Sequence, residues 1–144
     1  MIYPSNFESK IGFDRIRALI AERCNTEAAR AKLDEHRFSS RREVVENRIA
    51  SADEMRTIIQ MEHEFPNEEF CDLTALIAKV RVEGTFLDLE EAVLLARALR
   101  QVDAISRFIR SRERAVYPTL HRLTEDIISL EAIANHIDSL IDRF

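Results

Sequence analysis

Residues 88–111 read DLEEAVLLARALRQVDAISRFIRS, and this stretch decides the fold. Leu95, Ala98, Val102, Ile105 and Ile109 recur at three- and four-residue intervals, the spacing that gathers side chains on one face of an α-helix. Asp88 followed three residues later by Glu91 is a capping-box signature, in which each side chain satisfies a backbone N–H that the first helical turn leaves open. Upstream, Gly84 stops the preceding element; downstream, Tyr117-Pro118 forces a break, because the residue before a proline disfavours helical torsions.

Working outward, the same period recurs. Leu130, Ile133, Ile137, Leu140 and Phe144 form a second seam at the end of the chain, and a short helical turn is expected around Leu120 and Leu123. Leu73, Leu76, Ile77 and Val80 predict a shorter helix capped by Asp72, after an acidic connection from Phe65 to Asp72. Ser40 with Glu43 suggests another capping box, opening a helix with Val45, Ile49, Ala52, Met55 and Ile59 on its apolar face and ending before Phe65-Pro66. Nearer the start, Asn25 or Thr26 caps a helix running to about Asp34. Phe13, Ile16, Leu19, Ile20 and Cys24 share a face of a helix that Gly12 separates from a turn at residues 7–11. About six helices in an irregular all-α bundle is the expectation.

Composition narrows the function classes. The chain has 144 residues, 46% hydrophobic and 33% charged, enough for one packed domain and far from a disordered composition. No apolar run approaches the ~18 residues of a membrane span, and acids inside the first dozen residues are unlike a signal peptide, so a cytoplasmic location is expected. Gly12 and Gly84 are the only glycines, whereas a phosphate loop or dinucleotide turn needs several within a few residues; neither nucleotide motif is encoded here. Cys24 and Cys71 are too far apart for a zinc ribbon, and Cys71 sits among acids in the sequence. The residues three before His36, His63, His121 and His136 are Leu33, Gln60, Pro118 and Ile133, so the Glu-x-x-His pattern of a di-metal bundle is missing.

Charge is polarised despite a net value of only −5: residues 53–72 hold seven acids against Arg56, and residues 97–114 hold six arginines against Asp103 and Glu113. Arg97, Arg100, Arg107 and Arg110 share a broad face opposite the Leu95–Ile109 seam. These four are the candidate nucleic-acid contacts, since guanidinium forks match phosphate oxygens. A solvated helix face, or intramolecular pairing with the acidic 53–72 region, is the competing reading. The seams at 89–111 and 130–144 likewise have two readings, as the core of a bundle or as surfaces awaiting further helices. With its last seam residue at Phe144 and no capping glycine or polar tail, the chain reads as one cut from a longer protein.

The opening residues 1–16, MIYPSNFESKIGFDRI, resemble the start of a bacterial MutS-family protein of the second type, the subfamily that lacks the mismatch-reading N-terminal domain. Phe65-Pro66 with its acidic continuation, residues 81–88 (RVEGTFLD), and Tyr117-Pro118 followed by Leu120 and Leu123 are similar in the same order. The resemblance covers nearly the whole chain and implies that residues 1–144 are the N-terminal part of a MutS-type helical core. It further implies a homodimeric parent with ATP and Mg²⁺ bound in a P-loop ATPase domain and an endonuclease domain at its end, neither of them within this chain. Branched DNA, in suppressing recombination, or the ribosome, in rescuing collisions, would be that parent's partner, with no membrane role. The chain itself would be non-catalytic, carrying ATP-driven motion to nucleic-acid-clamping arms; a stand-alone helical protein-interaction module is the alternative. The absence of any Phe-x-Glu triplet agrees with the missing mismatch-reading element.

Overall fold

The computed structural model describes residues 6–36, 38–67 and 70–141. Among these residues there are eight helices and no strand: α1 (Phe7–Lys10), α2 (Phe13–Ala21), α3 (Glu27–Glu35), α4 (Arg42–Met61), α5 (Thr74–Val80), α6 (Leu89–Ser111), α7 (Pro118–Thr124) and α8 (Glu131–Ile141). The protein is all-helical. The excess over six arises because two short turns, at residues 7–11 and around Leu120, close as the separate helices α1 and α7. No helix among the described residues is long and apolar enough to cross a membrane.

The chain divides into two compact units, residues 1–40 and 41–144. In the first, α1 packs on α2 and α2 on α3. Gly12 adopts a left-handed φ of 74° between α1 and α2, a conformation that costs glycine nothing and lets one helix stop and the next begin within two residues. Thr26, one of the two expected caps, accepts the Ala29 N–H at 3.1 Å to open α3. None of the unit's described residues is buried.

The second unit has a core. Ile58 of α4, fully buried, meets Phe108 and Ile109 of α6, Tyr117 and Leu120, with Met55, Phe65 and Ile105 packed around them. Phe65 and Phe108 stand edge to face, ring centres 5.3 Å apart and planes at 82°. The 23-residue α6 is the spine: α8 lies along it, α7 packs against it, and α4 packs on α7. Its start is built as the sequence suggests, with both halves of the Asp88–Glu91 capping box formed.

Three expectations need correction. The proposed Ser40–Glu43 capping box does not form: α4 begins at Arg42, with Arg41 in the cap position and no side-chain cap. The apolar face assigned to α4 is largely the wrong one, since Ile49 and Ile59 are 64% and 66% exposed while Ile58, one position and about 100° away, is the fully buried residue. Periodicity finds apolar stripes but not which stripe has a partner, and here α7 covers the Met55–Ile58 side. In the α6 seam Val102 is 40% exposed, whereas Asp103 and Ser106 are buried. Flanked by α7 and α8, α6 buries a wider arc than one stripe, and Asp103 uses its place there to accept the Leu130 N–H at the start of α8. In the α8 seam, Phe144 lies outside the described residues, as do the first five residues of the opening motif.

Candidate nucleic-acid interface

The four candidate arginines separate into two groups. Arg110 is committed to the fold. Its Nη2 donates to the carbonyls of Thr124 and Ile127, with Glu125 O at 3.5 Å, so it gathers the carbonyl groups left open where α7 ends. A guanidinium at this position completes the helix terminus and complements its negative dipole end.

Arg97, Arg100 and Arg107 instead line one cleft of about 300 Å³ on the flank of α6. Pro66 and Cys71 also line it, and Gln101 Nε2 of α6 donates to Pro66 O at 2.7 Å. Asp103, only 4% exposed, and Glu131, the first residue of α8, complete its charged lining.

Electrostatically the cleft is mixed rather than plainly basic. Arg100 Nη2 donates to Asp138 Oδ2 of α8. Arg107 Nε stands 3.1 Å from Asp103 Oδ2, an ion pair without hydrogen-bond alignment, which leaves that buried oxygen with no hydrogen-bond partner. Arg97 is exposed and has neither ion pair nor hydrogen bond among the described residues. Each guanidinium carries five N–H donors. Among the described residues, only one donor of the three groups, on Arg100, is spent on a hydrogen bond.

No family model, curated protein or solved structure matches the chain. What the cleft can do is therefore read from its own chemistry: it offers three planar cations, two carboxylates and one thiol. Cys71, acid-flanked in sequence, lines the same cleft as three arginines, a neighbourhood that linear reading missed because it depends on long-range contacts.

Pairing of the basic run with the acidic region does occur, but through Arg112, outside the stripe. Its guanidinium meets Glu62 at 3.0 Å and Glu64 at 3.4 Å and lies over the Phe108 ring, 4.3 Å from its centre. The Tyr117 hydroxyl donates to the same Glu62 at 3.2 Å. Burial pushes the Tyr117 phenol above its usual range, and the neighbouring Glu62 carboxylate adds to the effect. Below it, Glu54 of α4 accepts the N–H groups of Thr119 at 3.0 Å and Leu120 at 2.9 Å, supplying from another helix the cap that Tyr117 does not give α7. The sequence signal for this was slight: a carboxylate in mid-helix, facing a Pro-initiated helix with no capping residue of its own.

Among the described residues no group of three or more His, Cys, Asp and Glu side chains is arranged to hold a metal ion. His121 has its Nε2 at 3.0 Å from Arg112 O.

Proposed function

We propose that this chain is the non-catalytic helical connector of a MutS-type nucleic-acid-processing protein of the second subfamily. The observation that carries the reading is α6, a helix of 23 residues and about 34 Å, fastened to its neighbours at both ends. At its start Glu91 binds Lys79 of α5 through both carboxylate oxygens, at 2.7 and 2.6 Å. Toward its end Arg110 holds the terminus of α7, and Arg112 just beyond it holds Glu62. A strut tied at both ends moves as a unit, because close-packed interiors resist continuous deformation.

The opening residues and the 81–88 stretch supply the family side of the argument. In the structure the latter is a compact turn: Gly84 has φ 83°, Thr85 Oγ1 donates toward Lys79 O and Val82 O at 2.8 Å, and Asp88 caps α6. In this reading the ATPase, with its ATP and Mg²⁺, and the endonuclease belong to other parts of a dimeric cytoplasmic parent that engages branched DNA or the ribosome. The cleft arginines then contribute a phosphate contact.

Two measurements test the proposal. The coding sequence beyond codon 144 should continue into a glycine-rich phosphate loop; a stop codon there overturns the connector and leaves a helical interaction module. That second reading draws on the first unit, where Phe13, Ile16, Leu19 and Ile20 are all exposed. Nucleic-acid binding by the chain should fall steeply with salt, and replacing Arg100 and Arg107 by Ala should flatten the slope by roughly one unit of log K per log salt. An unchanged slope removes these arginines from the interface.

A further inference from the structure

The cleft on α6 has the parts of a site for one specific group. Its arginines stand on α6 at spacings of three and seven residues and line it together with Pro66, which accepts a hydrogen bond from Gln101, and Cys71. Its lining includes a built polar element: Asp103 is nine-tenths buried and anchored by the Leu130 N–H at 3.3 Å, and its remaining oxygen holds Arg107 by charge alone. Because that contact runs through Nε, both Nη groups of Arg107 remain uncommitted, and Arg97 has all its donors to offer. A carboxylate presents two oxygens and is satisfied by one fork; a phosphate presents enough to engage several forks at once.

We infer that Arg97, Arg100 and Arg107 bind a single phosphate group in this cleft, and that Arg110, the fourth member of the stripe, takes no part. The existing ion pairs of Arg100 and Arg107 do not block this. The Arg100–Asp138 pair is more than 40% exposed on both sides, the kind that contributes little and exchanges partners readily, whereas Arg107 keeps its buried Asp103 partner through Nε and offers its Nη groups to the ligand. Glu131 is the opposing charge: it lines the cleft without an ion pair among the described residues and holds the affinity down. The inference rests on the connector reading only for the source of the phosphate, a nucleic-acid backbone rather than a free phosphate.

The chain carries its own reporter. Cys71 lines the cleft, while Cys24 lies in the other unit, and both are free thiols of intermediate exposure. Alkylation of the full chain by iodoacetamide is followed at each cysteine by mass spectrometry, with inorganic phosphate and, separately, a short DNA duplex as probes. Saturating phosphate should slow modification of Cys71 by about fivefold or more, in proportion to the occupied fraction, and leave Cys24 unchanged. Arg97→Ala removes an exposed, unpartnered side chain without touching the core, and should abolish the protection. Glu131→Gln should act in the opposite sense, reaching half-protection at roughly three- to tenfold lower phosphate. Because the two variants move the readout in opposite directions, misfolding cannot imitate the result. A Cys71 rate indifferent to phosphate, equal slowing of both cysteines, or full protection retained in Arg97→Ala overturns the site. Protection by phosphate but not by duplex keeps the site and overturns the nucleic-acid source.

Discussion

Residues 1–40 and 41–144 use the same polar device in opposite circumstances. In the first unit, Arg17 donates to the carbonyls at the end of α3, Leu33 O at 2.6 Å and His36 O at 3.0 Å, while pairing with Glu8 at 3.2 Å. Its guanidinium lies 5.5 Å from the centre of the Phe13 ring. In the second unit Arg110 does the same for α7, but beside a core of Ile58, Phe108, Ile109, Tyr117 and Leu120. One arginine fastens a unit with no buried residue among those described; the other trims a structure already held by apolar burial. A net hydrogen bond contributes about 1 kcal/mol, and burying one large aliphatic side chain about 1.5–3 kcal/mol. The two units should therefore differ in how cooperatively they hold together, and each test below either widens or erases that difference.

The largest effect should come from Ile58→Ala. A fully buried aliphatic chain costs about 2–5 kcal/mol on truncation, from lost transfer energy plus the cavity. Urea unfolding followed by the near-ultraviolet signal of the core tyrosine measures it. Ile16→Ala, at a residue 50% exposed in the first unit, should cost about 0.5 kcal/mol or less. Equal losses at the two sites would mean that Ile16 is buried in solution and that the contrast between the units is wrong.

Next in size is Glu54→Ala. It strips the acceptors from two N–H groups at the start of α7, both on buried residues, and should destabilise the second unit by about 2 kcal/mol. The measurement is thermal unfolding together with amide exchange at Thr119 and Leu120. Unchanged exchange there would show that α7 needs no cap from α4.

These two residues also mark where linear reading stops. The helical class, the α6 capping box, the Thr26 cap and the Tyr117-Pro118 break all rest on neighbours within four residues, and sequence displays those directly. Ile58 was passed over for Ile59 because which stripe of α4 is buried depends on α7, about sixty residues later in the chain. Glu54 as a cap depends on the same pairing. The arginine stripe was legible as a stripe, but its division was not. Arg110 becomes structural because α7 ends within its reach, while Arg97, Arg100 and Arg107 share a cleft with Pro66 and Cys71, far earlier in the chain. Both facts are long-range.

A smaller pair of changes sharpens the comparison directly. Arg17→Ala and Arg110→Ala each remove one staple, and each should cost about 1 kcal/mol of local stability. The patterns should differ. With no core behind it, the first unit should lose protection from hydrogen exchange throughout α2 and α3. In the second, faster exchange should stay confined to residues 121–128, because Phe108, Ile109 and Leu120 keep α6 and α7 together. Exchange that spreads through α6 in Arg110→Ala would make that arginine as essential as Arg17.

The smallest effect is a pH dependence at the start of α6. The hydrogen bond from Lys79, seconded by the Asp88 N–H, holds the Glu91 carboxyl below the ordinary glutamate range. A carboxyl lowered in the folded chain takes up its proton less readily than the same group unfolded, so acid favours the unfolded state. The stabilisation is complete above the unfolded value of about 4.3 and disappears as pH falls through the lowered folded value. Glu91→Gln keeps the shape but not the charge, and should flatten this part of the acid limb while leaving stability near neutral pH slightly reduced. The amide exchange of Ala92, whose N–H bonds Asp88 O at 2.9 Å, reads the junction itself. Acid sensitivity there that persists in Glu91→Gln would assign the junction's hold to the Asp88 cap alone and detach α5 from the spine.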